Sequence, residues 1–186
     1  MTVDDLGMAA PNNWAWATAG EFCARHGGSL QTGPFGSQLH ASDYSAQGTP
    51  VVMPQDIDAG AVVVANIARV APEHVVRLSR HVLAPGDVVF SRRGDVRRFA
   101  IIGTEEEGWL CGTGCLRLRI GDAPIVPGYL RWFFAHDAVG DWLERNAQGA
   151  TMPNLNTMIL SRLPLRFPPL PEQRRIAARS EERRVG

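Results

Sequence analysis

The stretch Gly149–Ala177, GATMPNLNTMILSRLPLRFPPLPEQRRIA, constrains the fold more than any other, because a polar loop, a short helix, a strand and a helix start must follow one another without a spacer. The Gly149-Ala150-Thr151 turn leads to Pro153, and Asn154-Leu155-Asn156 can begin a helix because short amide side chains accept bonds from unpaired first-turn N–H groups. Leu163, Leu165 and Phe167 alternate with Pro164 and Arg166, which predicts a strand with one buried face, and Pro164 places that strand at a sheet edge. Pro168, Pro169 and Pro171 stop the strand, and Pro171 supplies a helical φ for the run that begins Glu172-Gln173-Arg174-Arg175-Ile176. A helix is expected to leave the domain there.

A chain of 186 residues has room for one domain with a real core and too little for two of ordinary size. Hydrophobic residues at 45% and charged residues at 20% exclude a disordered chain. The longest apolar runs, such as Ala59–Ala65, fall far below the ~18 residues that a membrane span needs. Asp4 and Asp5 stand where a secretory signal would be basic, so a cytoplasmic location is expected. The three cysteines do not suggest a disulfide framework, and Cys111 and Cys115 lack a second pair at zinc-site spacing. Cys115 instead opens the alternating run Cys115–Ile120, which reads as a strand with a buried cysteine. No metal or cofactor is expected.

The formal net charge is zero, yet the charge is segregated. Met1–Glu73 carries seven acids against two arginines, and His74–Ile102 six arginines against two acids. Gly103–Glu144 has seven acids against three arginines, and Arg145–Gly186 eight arginines against three acids. Every basic residue other than histidine is arginine, the side chain that forks onto phosphate and onto the guanine edge. Arg92, Arg93, Arg97 and Arg98 lie within seven residues, a density that a polyanion would relieve; the bland alternative pairs them with Glu105, Glu106 and Glu107.

Further along the chain, Trp14, Trp16 and Phe22 are expected to dock the N-terminal segment on the core. Gly27–Ser45 is rich in glycine, serine and amides and reads as a loop whose N–H groups could approach a phosphate. Pro72 and Glu73 open a helix through about Arg80. Pro85-Gly86-Asp87 turns into a buried strand that ends in Ser91-Arg92-Arg93-Gly94, whose side chains should project from the sheet end. Pro127–Phe134 reads as a helix with inward aromatics, and Asp137 as the cap of another. No nucleotide-binding glycine motif, paired-histidine zinc motif or local nucleophile motif is present, so the chain is not expected to be an enzyme.

The C-terminal stretch resembles the end of a target recognition domain in the specificity subunits of type I restriction-modification systems. The resemblance rests on Gly149-Ala150-Thr151 followed by Pro168-Pro169-Leu170-Pro171-Glu172-Gln173-Arg174-Arg175-Ile176-Ala177. Gly33-Pro34-Phe35-Gly36-Ser37, Gly48-Thr49-Pro50-Val51, Gly86-Asp87 through Gly94, and the Pro127 helix are similar to further elements of that family. The resemblance implies an α/β (α+β) fold: a single globular recognition domain over residues 1–170, with a mixed twisted sheet and short flanking helices. Residues 171–186 would begin the conserved spacer helix, cut short.

It also implies a non-catalytic chain that binds a half-site in double-stranded DNA and directs a methyltransferase (modification) subunit and a restriction/translocase subunit. The candidate DNA contacts fall in three loops: Phe35, Gly36, Ser37 and Gln38; Ser91, Arg92 and Arg93, extended by Arg97; and Gln148, Thr151, Asn154 and Asn156. Amides can bond adenine bidentately, and arginine guanine. From Ile176 to Val185 the tail lacks the apolar stripe of a coiled coil. A half-subunit that pairs with a second half or with its own copy, or a truncated piece, is therefore expected. The alternatives are a recognition domain detached from a fused type II restriction-methylation enzyme, and a remnant or interaction domain that binds no DNA.

Overall fold

Strands too short to stand alone are assembled here into two four-stranded sheets that bury a layer between them. The computed structural model describes residues 6–8 and 11–185; the acidic opening lies largely outside them, as do the side chains of residues 183–185. One sheet has the order β2 (Ser29–Thr32), β11 (Cys115–Arg119), β8 (Val88–Ser91), β9 (Phe99–Ile101), with every pair antiparallel. The other has the order β10 (Leu110–Cys111), β4 (Thr49–Val52), β7 (Ala68–Val70), β3 (Tyr44–Ser45), and β10 runs parallel to β4. Two smaller pairs complete the strands: β1 (Ala15–Thr18) with β12 (Pro164–Phe167), and β5 (Ile57–Asp58) with β6 (Ala61–Val62). The α+β class is that expected, with the strands shared among several small sheets.

Period-two alternation sorts the side chains into layers. Val89, Ala100 and Cys115 of the first sheet meet Val52 and Cys111 of the second. On its other face the first sheet presents Val88, Phe90, Phe99, Leu116 and Leu118 to helices. These are α1 (Ala19–His26), α3 (Pro127–Phe134), α4 (Asp137–Asn146) and α5 (Thr157–Ser161). The second sheet packs Val51, Val70 and Leu110 against Leu39 and Leu78, which follows α2 (Pro72–Arg77).

Local chemistry sets most boundaries. Thr18 and Glu21 form a reciprocal capping box at α1, and Gly27 closes that helix at φ 66°. Asn156 accepts a bond from the Ile159 N–H at 2.8 Å and so caps α5. Helix α6 (Leu170–Val185) does not swing free at its start. Gln173 accepts from the Val126 N–H and donates to the Pro168 carbonyl, both at 3.0 Å, and Ala177 is buried on α3. A Cβ on Gly128 would lie 2.8 Å from that of Ala177, so the missing side chain is what admits the helix.

Several expectations are corrected. Ser29–Thr32, expected inside a loop, is a sheet strand: Leu30 packs on the core, and on the other face Ser29 and Gln31 accept bonds from Arg117. The edge strand β12 is covered on both faces, with Arg166 buried as well as Leu165. His136, not Asp137, caps α4, its ring Nδ1 accepting from the Ala138 N–H. The helix opened by Pro72 ends at Arg77 and a 3-10 turn, Ser79–His81, follows it. Trp14 and Phe22 pack on the core, but Trp16 is 40% exposed.

Candidate nucleic-acid interface

The first candidate loop follows β2 and is closed on itself. The Phe35 carbonyl accepts from the Gln38 and Leu39 N–H groups at 2.8 and 3.2 Å, and Gln38 Oε1 accepts from the Phe35 N–H at 3.0 Å. Gly33 joins the loop to the turn Gly112–Gly114, where a Cβ on Gly33 would lie 1.9 Å from the Gly112 carbonyl oxygen. On its far side Arg77 donates to the Gln38 carbonyl and, at 3.1 Å, to Asp43. The His40 N–H, with His74 and Arg77, holds the Asp43 carboxyl below its ordinary range. This bracing leaves Phe35 55% exposed and Gly36, Ser37 and Gln38 exposed beside it.

The second loop leaves the end of β8. Ser91 points inward: it is 1% exposed, and its Oγ donates to the Arg93 carbonyl at 2.9 Å. Arg92 turns toward the third loop, its Nε donating to Leu155 O at 3.2 Å and to Asn154 Oδ1 at 3.3 Å. Its guanidinium carbon stands 5.9 Å from the Phe35 ring centroid, within cation–π reach. Arg93 is exposed, and its guanidinium has no hydrogen bond or ion pair among the described residues.

The third loop is clipped at its base by two backbone bonds between Gln148 and Asn154, at 2.8 and 2.9 Å. Gly149 adopts φ 102° inside it, and Gln148, Thr151 and Met152 are exposed. Asn154 also bridges to Arg93, and the Gly94 N–H donates to the Pro153 carbonyl at 3.2 Å. Phe35, Arg92, Asn154 and Gln148 thus share one continuous set of contacts, although the chain separates them widely.

The arginine cluster of the sequence does not act as a block. Arg97 is engaged by α4: its Nε lies 2.8 Å from Glu144, Asp141 is bonded to its guanidinium, and Asp137 stands 3.9 Å away. Arg98 pairs with Asp95 at 3.2 Å. The carboxylates that answer these two arginines are therefore not Glu105, Glu106 and Glu107 but those of α4 and Asp95. The Gly112–Gly114 turn, on which Gly33 is seated, also belongs to the site; its paired glycines between two short strands are the local signal for it. The Arg77–Asp43 tether leaves no local signal.

A cavity of about 640 Å³, lined by Trp132, His136, Ile176 and Arg179 among others, shares no residue with the three loops. Among the described residues, no group of three or more His, Cys, Asp or Glu could hold a metal ion.

The fold is shared with known specificity subunits. One chain of a structure reported for complex assembly and conformational transition of the type I R-M system matches with TM-score 0.68 and 22% identity, over 96% of this chain and 40% of that one. The HsdS subunit from Thermoanaerobacter tengcongensis matches with TM-score 0.61 and 20% identity, over 95% and 38%. The type I restriction-modification S subunit from M. genitalium matches with TM-score 0.59 and 14% identity, over 92% and 40%. The chain thus spans about 40% of the length of these structures. A comparison with curated protein sequences gives no match. The family model of the type I restriction modification DNA specificity domain matches residues 42–180, beginning just after the Phe35 loop and taking in the other two, and the chain belongs to that family.

Proposed function

We propose that this chain is a sequence-reading domain for double-stranded DNA that recognises a short half-site and leaves the chemistry to separate methyltransferase and restriction/translocase subunits. The observation that supports it is the convergence of the Phe35, Arg93 and Thr151 loops around Arg92. Arg93 supplies an exposed positive charge, without a partner among the described residues, for phosphate or guanine, and Gln148 and Thr151 supply exposed amide and hydroxyl groups for base edges. Asn156 spends its side-chain oxygen on the α5 cap, so its part in reading is limited to the amide N–H₂. Ser91 supports the loop from inside. Gly36 lets the backbone of the first loop come close to a phosphate.

A chain that reads DNA in this way would work in the cytoplasm. No helix among the described residues is long and apolar enough to cross a membrane. Pairing with a second recognition half, or with another copy, would supply the other half-site. Selection from a randomised duplex pool tests the reading directly. An enriched motif is expected, with Arg93→Ala lowering affinity and reducing the salt slope by about 0.9, the share of one phosphate. A pool returned unenriched would sink the proposal.

A further inference from the structure

Arg92 touches more of the site than any group that could face DNA. Its N–H donates to the Gly114 carbonyl and its carbonyl accepts from the Leu155 N–H, each at 2.8 Å. Its Nε serves both Asn154 Oδ1 and Leu155 O, and its guanidinium carbon stands over the Phe35 ring at 5.9 Å from the centroid. Asn154 passes the constraint on through its paired backbone bonds to Gln148, and so fixes the base of the loop that carries Thr151. Side-chain contacts of one residue therefore join two loops, and backbone bonds join a third segment, the Gly112–Gly114 turn on which Gly33 is seated.

We infer that Arg92 is a positioning residue that locks the three loops into one reading surface and does not itself read DNA. The inference rests on the DNA-reading proposal for its consequence, but the lock is a property of the free chain. The guanidinium is suited to this task in a way an ammonium is not. It is planar, so it can lie on an aromatic ring while its Nε–H serves two acceptors in the ring's neighbourhood. Lysine keeps the charge but has no such second donor on its stem.

Arg92→Lys therefore separates locking from charge. Hydrogen exchange on the free 186-residue chain should show the Gln38, Gln148, Asn154 and Leu155 amides exchanging about tenfold faster together, while the Val89 and Leu116 amides of the sheet keep their rate. Acceleration confined to Leu155, or none, would overturn the inference. If Arg92→Lys also loosens the sheet, Phe35→Leu, which removes the ring and keeps the arginine, is read instead. Faster exchange at Gln148 and Asn154, far from the substitution along the chain, supports the lock, and unchanged rates there refute it.

Selection from the randomised duplex pool gives the functional arm. A lost lock relaxes the enriched motif at every position with the salt slope unchanged, because the charge is retained. Relaxation at a single base pair would make Arg92 a reader and overturn the inference. A wild-type chain that enriches nothing would defeat the DNA-reading proposal alone, and the lock would still be decided by exchange.

Discussion

Arg97 Nε lies 2.8 Å from Glu144 Oε1, and the same guanidinium is bonded to Asp141 one helical turn earlier on α4. Gly140 leaves the space it passes through, since a Cβ there would sit 2.7 Å from Arg97 Nη1. The bond to Glu144, followed by that to Asp141, raises the guanidinium's pKa further above its already high ordinary value. Residues 92–98 and α4 are thereby joined by an exposed charge network, which places Arg97 among the supports of the site. Arg97→Ala is expected to lower stability by at most about 1 kcal/mol, as exposed ion pairs do, and to leave the salt slope of DNA binding as it is in the wild type. Thermal melts and salt titrations of Arg97→Ala beside Arg93→Ala check this: a lowered slope for Arg97→Ala would return it to the contact surface.

His81 gives the fold an acid-side sensitivity. It is 8% exposed, and its Nδ1 has no partner among the described residues. Burial, then the charge of Arg117, depress its pKa below the ordinary histidine value, while a bond to the Thr32 backbone works in the other direction. A depressed folded pKa means that the unfolded chain takes the proton first. The stability contributed by neutral His81 is thus complete above about pH 6.5 and is lost as the pH falls from there through the folded value. His81→Gln should flatten the fall in melting temperature between about pH 7 and pH 5. Identical wild-type and variant profiles would show that another group governs that range.

What the sequence makes legible here is what its neighbours along the chain decide. The Pro127 helix, the Asn156 cap, the Pro-rich stop after Phe167 and the buried Cys115 strand each rest on residues within one turn or one strand of each other. Arg117 shows the limit. Alternation in Cys115–Ile120 marks it as the polar face of a strand, yet it is buried, donating to the Arg80 and Val82 carbonyls, Ser29 and Gln31. Only the assembled sheet brings those acceptors to it, and β2 escapes notice for the same reason. The candidate site divides in the same way. Its three loops carry recognisable composition, but their meeting is not local: Arg92 and Asn154 are 62 residues apart. Nor does a run of four arginines reveal that Arg97 and Arg98 have acids waiting for them.

Two glycines of the first loop separate packing from contact. A Cβ on Gly33 would lie 1.9 Å from the backbone oxygen of Gly112, which cannot step aside as a flexible side chain would, whereas a Cβ on Gly36 meets nothing within 4 Å. Gly33→Ala should therefore cost about 1–3 kcal/mol, the range for overpacking, and shift the Phe35 loop off the Gly112–Gly114 turn. Gly36→Ala should leave the melting temperature close to the wild-type value, because its added methyl group points into open space. If the Gly36 backbone closes on a phosphate, that same methyl group is in the way, and duplex affinity falls although the fold is untouched. Melting curves and binding titrations of the two variants, run side by side, resolve the roles. Loss of affinity with unchanged melting in Gly36→Ala assigns the loop tip to DNA, and full affinity there confines the loop's role to holding Phe35.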